Sequence, residues 1–302
     1  MPFKVRPIRR PVRRPIRRLV RRLAIAAMAA LMPGLAPAAE GEKLDIKSLD
    51  GTTLTARLFK PDGQGPFAAV VMLHGCGGMV NSSDVLGSRP RAWAEIFIGL
   101  GWVVLMPDSF TARGHGSLCK VKDRPVLPSR ERPYDAYGAL AWLQAQPYVK
   151  ANKVALMGWS NGGATLLWTL KDDAKARPAG LVHDFVAGVG FYPGCGSARR
   201  AEYRANVPIL LQVGLDDNWT PPESCIALVE EANRRGGAGM AIDAYAGAVH
   251  GFDSPDSTPR TINASSRSSP TGLREVKIGT HPEARDKAIR RVTAYLKRAL
   301  GE

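Results

Sequence analysis

The stretch that decides the fold runs from Val154 to Gly162 and reads Val-Ala-Leu-Met-Gly-Trp-Ser-Asn-Gly. Its four apolar residues are typical of a buried strand, and the segment 163–168 that follows is typical of a helix. A serine at the apex of such a strand–turn–helix is lifted clear of the sheet, with its hydroxyl exposed. The pattern therefore predicts that Ser160 is a nucleophile. The alternative is a structural turn, because a chain with 31 glycines can produce this motif by chance.

An acid and a histidine follow Ser160 in the order that such a nucleophile requires. Two aspartates come directly after the apolar run 207–213, and His250 comes after the next apolar run. Because ligands bind beyond the carboxyl ends of parallel strands, we expect these side chains on one rim of a sheet. The spacing G-x-x-D-x-x-T-P favours Asp217 over the adjacent Asp216 as the acid, which leaves the latter as a turn or capping residue.

Ser160, Asp217 and His250 together predict nucleophilic catalysis. A serine hydroxyl is protonated at neutral pH and attacks an ester only when a base removes its proton. We expect His250 to accept that proton and return it to the leaving alcohol, while Asp217 orients the imidazole and stabilises its charged form. The other histidines end a strand, lie in loops or begin a helix, and structural roles are expected for them: His74, His115, His183 and His281.

A second glycine-rich loop, His-Gly-Cys-Gly-Gly at residues 74–78, follows the apolar run 69–73. Glycines let the backbone approach a bound carbonyl and leave N–H groups unshielded. We expect the N–H groups of Cys76 (or Gly77) and Asn161 to bind the oxyanion of a tetrahedral intermediate. The alternative is a tight β-to-α turn without a catalytic part.

Six short motifs follow one another along the chain: HGCGG at 74–78, PDSFTARG at 107–114, GWSNGG at 158–163, FYPGC at 191–195, GLDDNWTP at 214–221 and AVHGF at 248–252. In this order they resemble the dienelactone hydrolase family of the α/β-hydrolase superfamily, from about residue 54 to the final helix. The resemblance implies an α/β fold with a mostly parallel central sheet and helices on both faces. The alternation of apolar strands and helices in the sequence predicts the same architecture.

One departure from the family bears on the substrate. The namesake enzymes use a cysteine nucleophile and carry an acidic residue in the oxyanion loop, whereas this chain has Ser160 and Gly75 at those positions. The resemblance therefore implies a serine hydrolase of small carboxylic esters or lactones rather than an enzyme for dienelactone itself. A non-catalytic protein of the same fold that binds a ligand is the alternative.

Three side chains beside these motifs are candidates for substrate binding. Arg113 is a candidate to contact a substrate carboxylate, and the alternative is a surface salt bridge. Trp159 and Trp219 flank the catalytic positions and are candidates to line an apolar pocket, with core packing as the alternative. Residues 253–280 are rich in Ser, Pro and Thr, and we expect either a mobile lid or a disordered loop there.

Residues 1–38 predict an export signal. Ten Lys and Arg and no acidic residue are followed by the apolar stretch 23–35 and by an A-x-A pattern at 36–38. These 13 apolar residues are too few to span a bilayer, and the Arg-Arg pairs are compatible with a Tat-type route. We expect a cleavable signal and one hydrolase domain, residues 39–302, in the periplasm or secreted. A basic arm that binds nucleic acid or anionic lipid is the alternative.

Most of the formal net charge of +15 lies in that N-terminal segment. Without its 10 basic residues, 32 of the 42 Lys and Arg remain against 27 acidic residues, a net charge of +5. This balance gives no reason to expect a nucleic-acid partner. The spacing of His and Cys fits no metal site, so neither a metal nor a cofactor is expected.

The chain has four cysteines, an even number that predicts disulfides in an exported protein. Four cysteines allow three pairings. Cys195 and Cys225 follow successive strands near the acid loop, and Cys76 and Cys119 follow the two strands before the nucleophile. We expect these two pairs to form, with four free thiols in a reducing compartment as the alternative.

Overall fold

The structure, a computed structural model, describes residues 40–264 and 275–302. The predicted signal segment lies outside this part of the chain. The strands of the structure are β1 Glu42–Lys47, β2 Thr53–Phe59, β3 Phe67–Leu73, β4 Val103–Pro107, β5 Val149–Trp159, β6 Gly188–Phe191, β7 Ile209–Gly214, β8 Met240–Tyr245, β9 Arg260–Asn263 and β10 Glu275–Ile278. Its helices are α1 Ser88–Gly99, α2 Arg132–Gln144, α3 Asn161–Thr169, α4 Gly196–Arg200, α5 Glu223–Arg235 and α6 Pro282–Leu300. None of these helices combines the length and the apolar composition that crossing a bilayer requires.

The first eight strands form one sheet in the order β1-β2-β4-β3-β5-β6-β7-β8. β1 and β2 are antiparallel, and β2 also pairs antiparallel with β4. All pairings from β4 to β8 are parallel. Parallel neighbours need long crossovers, and the helices supply them. The predicted α/β-hydrolase architecture, with a mostly parallel central sheet, is therefore confirmed.

Both faces of the sheet are buried. Side chains of β3 alternate between them, since successive residues of a strand point to opposite sides. Val71 and Leu73 join a core cluster with α2, α3 and α5, whereas Val70 and Met72 pack in the cluster that contains α1 and α6. Burial on both faces explains why these strands are continuous apolar runs in the sequence.

Residues 253–264 and 275–280, the described part of the segment 253–280, differ from the expected mobile lid or disordered loop. β9 and β10 pair antiparallel, and Val276 packs in one cluster with Trp219 and Cys76. The backbone N–H of Lys277 donates to Asn218 Oδ1 at 2.8 Å. Strands of four residues are too short to give a periodic signal, which is why the sequence did not predict them. The expectation for residues 265–274 lies outside the described part of the chain.

Candidate active site

Ser160 lies between the end of β5 and the start of α3, with φ 52° and ψ −110°. A positive φ is strained for a residue other than glycine and is held only when the surroundings impose it. Here the Ser160 N–H donates to Phe191 O at 2.9 Å, and the Ser160 carbonyl accepts from the Ala164 N–H at 2.8 Å. The turn thereby holds the serine side chain partly exposed at the carboxyl edge of the sheet.

The glycines on either side of Ser160 are required by close packing of the turn. A Cβ at Gly162 would lie 2.1 Å from the carbonyl oxygen of Leu73, and a Cβ at Gly158 would lie 2.4 Å from that of Gly162. Contacts this short cannot be accommodated between backbone atoms. The two glycines of the G-x-S-x-G pattern are therefore required because the turn packs tightly against itself and against the end of β3.

The acid and the histidine are in direct contact. His250 Nδ1 and Asp217 Oδ2 are 2.8 Å apart, and both side chains are buried. The other carboxylate oxygen, Oδ1, accepts the backbone N–H groups of Trp219 and Thr220 at 2.8 and 2.9 Å. Because a carboxylate only accepts hydrogen bonds, His250 donates from Nδ1, which leaves Nε2 as the basic nitrogen. Asp216 instead accepts the N–H of Gly247 at 3.2 Å. In the described part of the chain it forms no hydrogen bond with His250.

Ser160 lines a cleft of about 140 Å³, and His250 contacts two other residues of the cleft wall. Its lining residues are Cys76, Arg124, Pro128, Ser160, Asn161, Ala164, Gly194, Ser197, Trp219 and Thr220. His250 lies behind Trp219 and Thr220, with its ring centroid 4.8 Å from that of Trp219 and its Nδ1 3.0 Å from Thr220 Oγ1. Among the described residues, Ser160 Oγ and His250 form no hydrogen bond with each other. Such bonds are often long before substrate binds.

Both expected oxyanion donors line this cleft beside Ser160. The loop that carries Cys76 lies directly over the nucleophile turn, since a Cβ at Gly75 would be 3.7 Å from Ser160 Cβ. Asn161 is the first residue of α3, so its N–H has no partner within the helix. The arrangement provides two backbone N–H groups at the same edge of the sheet as the serine.

The expected pairs of cysteines, Cys76–Cys119 and Cys195–Cys225, both form disulfides, with Cα atoms 4.8 and 5.1 Å apart. The first attaches the oxyanion loop to the 107–128 loop, where the Leu118 N–H also donates to the Cys76 carbonyl at 2.7 Å. Both predicted pairings are confirmed.

The three substrate-binding candidates lie in different surroundings. Trp219 lines the cleft, whereas Trp159 is buried in the core. The guanidinium of Arg113 is bound by Asp135 and Asp50, each at 2.7 Å. Because these carboxylates occupy its donors and it lies outside the cleft lining, the salt-bridge interpretation of Arg113 replaces the substrate-binding one. For Trp159, the core-packing interpretation likewise replaces the substrate-binding one.

Sequence reasoning missed two arginines near the nucleophile. Arg124 lines the cleft, its Nε donates to the Leu118 carbonyl at 3.0 Å, and burial lowers its pKa. Arg132, the first residue of α2, is fully buried, and burial lowers its pKa to about 10. Neither residue belongs to a recognisable catalytic motif, so no local signal in the sequence could have found them.

Arg132 connects the segments that form the site. Its guanidinium donates to the side chain of Asn161, to the backbone carbonyl of His74 at 2.8 Å and to Ser109 Oγ at 3.2 Å. It also lies over the ring of Phe110, 5.2 Å from the centroid. One buried cation thus joins the nucleophile turn to the oxyanion loop.

Arg132→Met is expected to lower the free energy of unfolding by about 3 kcal/mol or more, because each buried acceptor left without a donor costs about 1–3 kcal/mol. Urea denaturation followed by circular dichroism measures the effect. The matched control is Arg130→Met, since Arg130 is exposed and its ion pair with Glu131 is a surface contact worth about 0–1 kcal/mol. Equal losses in the two variants would contradict this role for Arg132.

His74 is a buried neutral histidine rather than a second base. Its Nε2 accepts the Ser109 N–H at 3.1 Å, and its Nδ1 lies 2.8 Å from the Gly75 carbonyl. Burial, reinforced by the positive charge of Arg132, lowers the pKa of His74 from 6.5 to about 3. Between these two pH values the unfolded chain binds a proton at this position and the folded chain does not.

We therefore expect His74 to destabilise the fold as the pH falls from 6.5 towards 3, with a slope of up to about 1.4 kcal/mol per pH unit. His74→Gln keeps a side-chain donor and acceptor but cannot titrate. The difference in slope between wild type and this variant, measured by urea unfolding at pH 7.5, 6 and 5, isolates the effect. Parallel profiles for the two proteins would rule it out.

Residues 54–300 match the dienelactone hydrolase family. Thermogutta terrifontis esterase 2, phosphoramylated by tabun, has a TM-score of 0.59 at 18% identity, covering 87% of this chain and 95% of its own. The propionate-bound form of that esterase has a TM-score of 0.58 at 18% identity, covering 88% and 96%. These likenesses show a shared fold.

A curated sequence relative covers less of the chain. The "Probable dipeptidyl-aminopeptidase B" of Fusarium vanettenii is 37% identical over 84 residues, which are 27% of this chain. The chain spans only 9% of the length of that protein. The family match, in contrast, covers almost the whole sheet and all six helices described above. The protein therefore belongs to the dienelactone hydrolase family.

Proposed function

We propose that the protein is an exported serine hydrolase that cleaves a small carboxylic ester or lactone through an acyl-enzyme on Ser160. The observation that carries this proposal is the hydrogen bond between Asp217 and His250 beside a cleft that contains Ser160. An orienting carboxylate, a base and a nucleophile are what acyl transfer by serine requires.

The proposed reaction begins when Ser160 Oγ attacks the carbonyl carbon of the ester and its proton passes to His250 Nε2. Asp217 holds the Nδ1–H tautomer that leaves Nε2 free to accept, and it stabilises the imidazolium that forms. The N–H groups of Cys76 and Asn161 bind the oxyanion. Each such donor typically contributes about 3–4 kcal/mol to transition-state stabilisation.

The tetrahedral intermediate then collapses. The bond from carbon to the alcohol oxygen breaks, and the imidazolium returns its proton to that oxygen. Water attacks the acyl-enzyme in the same way: His250 takes a proton from the water and delivers it to Ser160 Oγ as the acid leaves. With a lactone, the freed alcohol stays joined to the acyl group through its carbon chain, so the second step releases a single hydroxy acid.

The size of the cleft supports a small acyl group. A volume of about 140 Å³ is below the roughly 300–1,000 Å³ typical of drug-sized ligand sites. Trp219 gives this cleft an apolar wall. The structurally similar T. terrifontis esterase 2 has been solved with bound propionate and with bound butyrate. We propose acyl chains of similar length for this enzyme.

Export is proposed from the basic and apolar residues 1–38, and two disulfides support it because such bonds persist in oxidising compartments. Mass spectrometry of the protein recovered from the periplasm or medium tests this part. A mature chain that begins near residue 39 is expected. A chain that still carries Arg6 would favour the basic-arm alternative.

Labelling and hydrolysis together test the enzymatic proposal. We expect purified protein without residues 1–38 to be labelled by a fluorophosphonate probe and to hydrolyse p-nitrophenyl propionate or butyrate faster than the octanoate. Ser160→Ala is expected to lose both activities, and Ser83→Ala, at an exposed serine away from the cleft, is the matched control. A wild-type protein that is neither labelled nor active would leave the alternative, a ligand-binding protein of this fold.

A further inference from the structure

A buried carboxylate that the proposed mechanism does not use lies next to the site. Asp253 is 1% exposed. Its Oδ2 accepts the indole N–H groups of Trp93 and Trp159 at 2.9 and 2.8 Å. Its Oδ1 accepts the Tyr192 hydroxyl at 2.5 Å and pairs with Arg89 Nε at 3.2 Å. Three hydrogen bonds and one ion pair from distant parts of the chain thus hold this carboxylate.

Two of these donors, Trp159 and Tyr192, lie next to the proposed catalytic side chains. Trp159 immediately precedes Ser160. Tyr192 packs its ring against the imidazole of His250, with centroids 4.5 Å apart. The backbone carbonyl of Tyr192 also accepts the Thr220 hydroxyl at 3.0 Å. Tyr192 therefore contacts both the histidine and the loop that carries the acid.

The other two partners of the carboxylate, Trp93 and Arg89, belong to α1. Trp93 is buried in the core against Phe97 and Phe191. Arg89 also donates to Ser254 Oγ at 2.7 Å. Asp253 thus joins helix α1 to the nucleophile turn, to Tyr192 and, through its own chain, to His250 three residues earlier.

The backbone of Tyr192 is also strained, with φ +35°. Its N–H donates to the Gln212 carbonyl at 2.8 Å, so hydrogen bonds at both ends of the residue hold this conformation. Strained residues that persist beside catalytic groups are commonly part of the arrangement that orients those groups. A buried polar network in which every group is hydrogen-bonded is also rigid.

We infer that Asp253 is a positioning residue, which sets the place of His250 through Tyr192 and that of Ser160 through Trp159. This inference rests on the proposed function, because it concerns the alignment of the same nucleophile and base. A misplacement of catalytic groups by about 1 Å can lower the rate by about 100-fold. A residue that only stabilised the fold would leave the kcat of the folded protein unchanged.

Two variants that each remove one donor from the same carboxylate separate these roles. Tyr192→Phe removes the hydroxyl on the catalytic side, and Trp93→Phe removes the indole N–H on the α1 side. We expect Tyr192→Phe to lower kcat about 10-fold or more with KM changed less than twofold, as found for the supporting partners of functional residues. We expect Trp93→Phe to lower the urea midpoint while its kcat stays within about twofold of wild type.

The rate of fluorophosphonate labelling of Ser160 gives a second readout that does not depend on the choice of ester. It is expected to fall with Tyr192→Phe and not with Trp93→Phe. Asp253→Asn is expected to lower kcat about 100-fold if it folds, and Tyr192→Phe decides the question if it does not. A wild-type enzyme that is labelled at Ser160, together with unchanged kcat and labelling in Tyr192→Phe, would overturn the inference alone. A wild type that is neither labelled nor active would overturn the proposed function and the inference with it.

Discussion

His250→Ala is expected to lower kcat for p-nitrophenyl esters by about 10⁵–10⁶-fold, the largest effect of any single substitution outside Ser160 itself. Without an imidazole, the serine hydroxyl keeps its proton, and the leaving alcohol has no acid to protonate it. KM is expected to change little, because the imidazole lies behind Trp219 and Thr220 rather than in the cleft lining. Steady-state kinetics on the folded variant measure the loss.

The matched control for His250→Ala is His183→Ala, since His183 is exposed. It should retain wild-type kinetics within about twofold. Circular dichroism and a urea unfolding curve show whether each variant is folded. A folded His250→Ala protein that keeps a tenth or more of the wild-type kcat would show that His250 is not the base.

Asp217→Asn is expected to lower kcat by about 10⁴-fold. The physical reason lies in the hydrogen bonds of the carboxylate. Its Oδ1 accepts the N–H groups of Trp219 and Thr220, so the amide oxygen of an asparagine would remain there. The amide NH₂ would then face His250 Nδ1 and stabilise the tautomer that carries its proton on Nε2. In that tautomer Nε2 cannot accept a proton from Ser160.

Asp216→Asn is the matched control for this change. In the described part of the chain, Asp216 Oδ1 accepts the Gly247 N–H, a bond that an asparagine oxygen also makes. We expect kcat and KM within about threefold of wild type, measured under the same conditions as for Asp217→Asn. A greater loss in Asp216→Asn than in Asp217→Asn would reverse the assignment of the acid.

The elements of this fold were predictable because their signals are local. β3, the second half of β5 and β7 are buried on both faces, so each is a mainly apolar run in the sequence. The close packing around Ser160 leaves no room for a Cβ at Gly158 or Gly162, and a glycine pattern results. β9 and β10 were not predictable, because strands this short are held by contacts with Trp219 and Asn218 rather than by their own pattern.

The same contrast between local sequence signals and long-range contacts applies to the site. Sequence order by itself placed the Ser160 turn, the Asp217 loop and the His250 loop at one edge, because each follows a strand of a parallel sheet. It left three cysteine pairings open, and the structure decided between them. Tertiary structure alone decided the partners of the charged side chains. Arg113 is bound by acids 22 and 63 residues away. Arg132 reaches Asn161 and the His74 carbonyl across 29 and 58 residues. Asp253 accepts a hydrogen bond from Trp93, 160 residues away. Hydrogen bonds and ion pairs depend on distance in space, and these contacts leave no periodic trace along the chain.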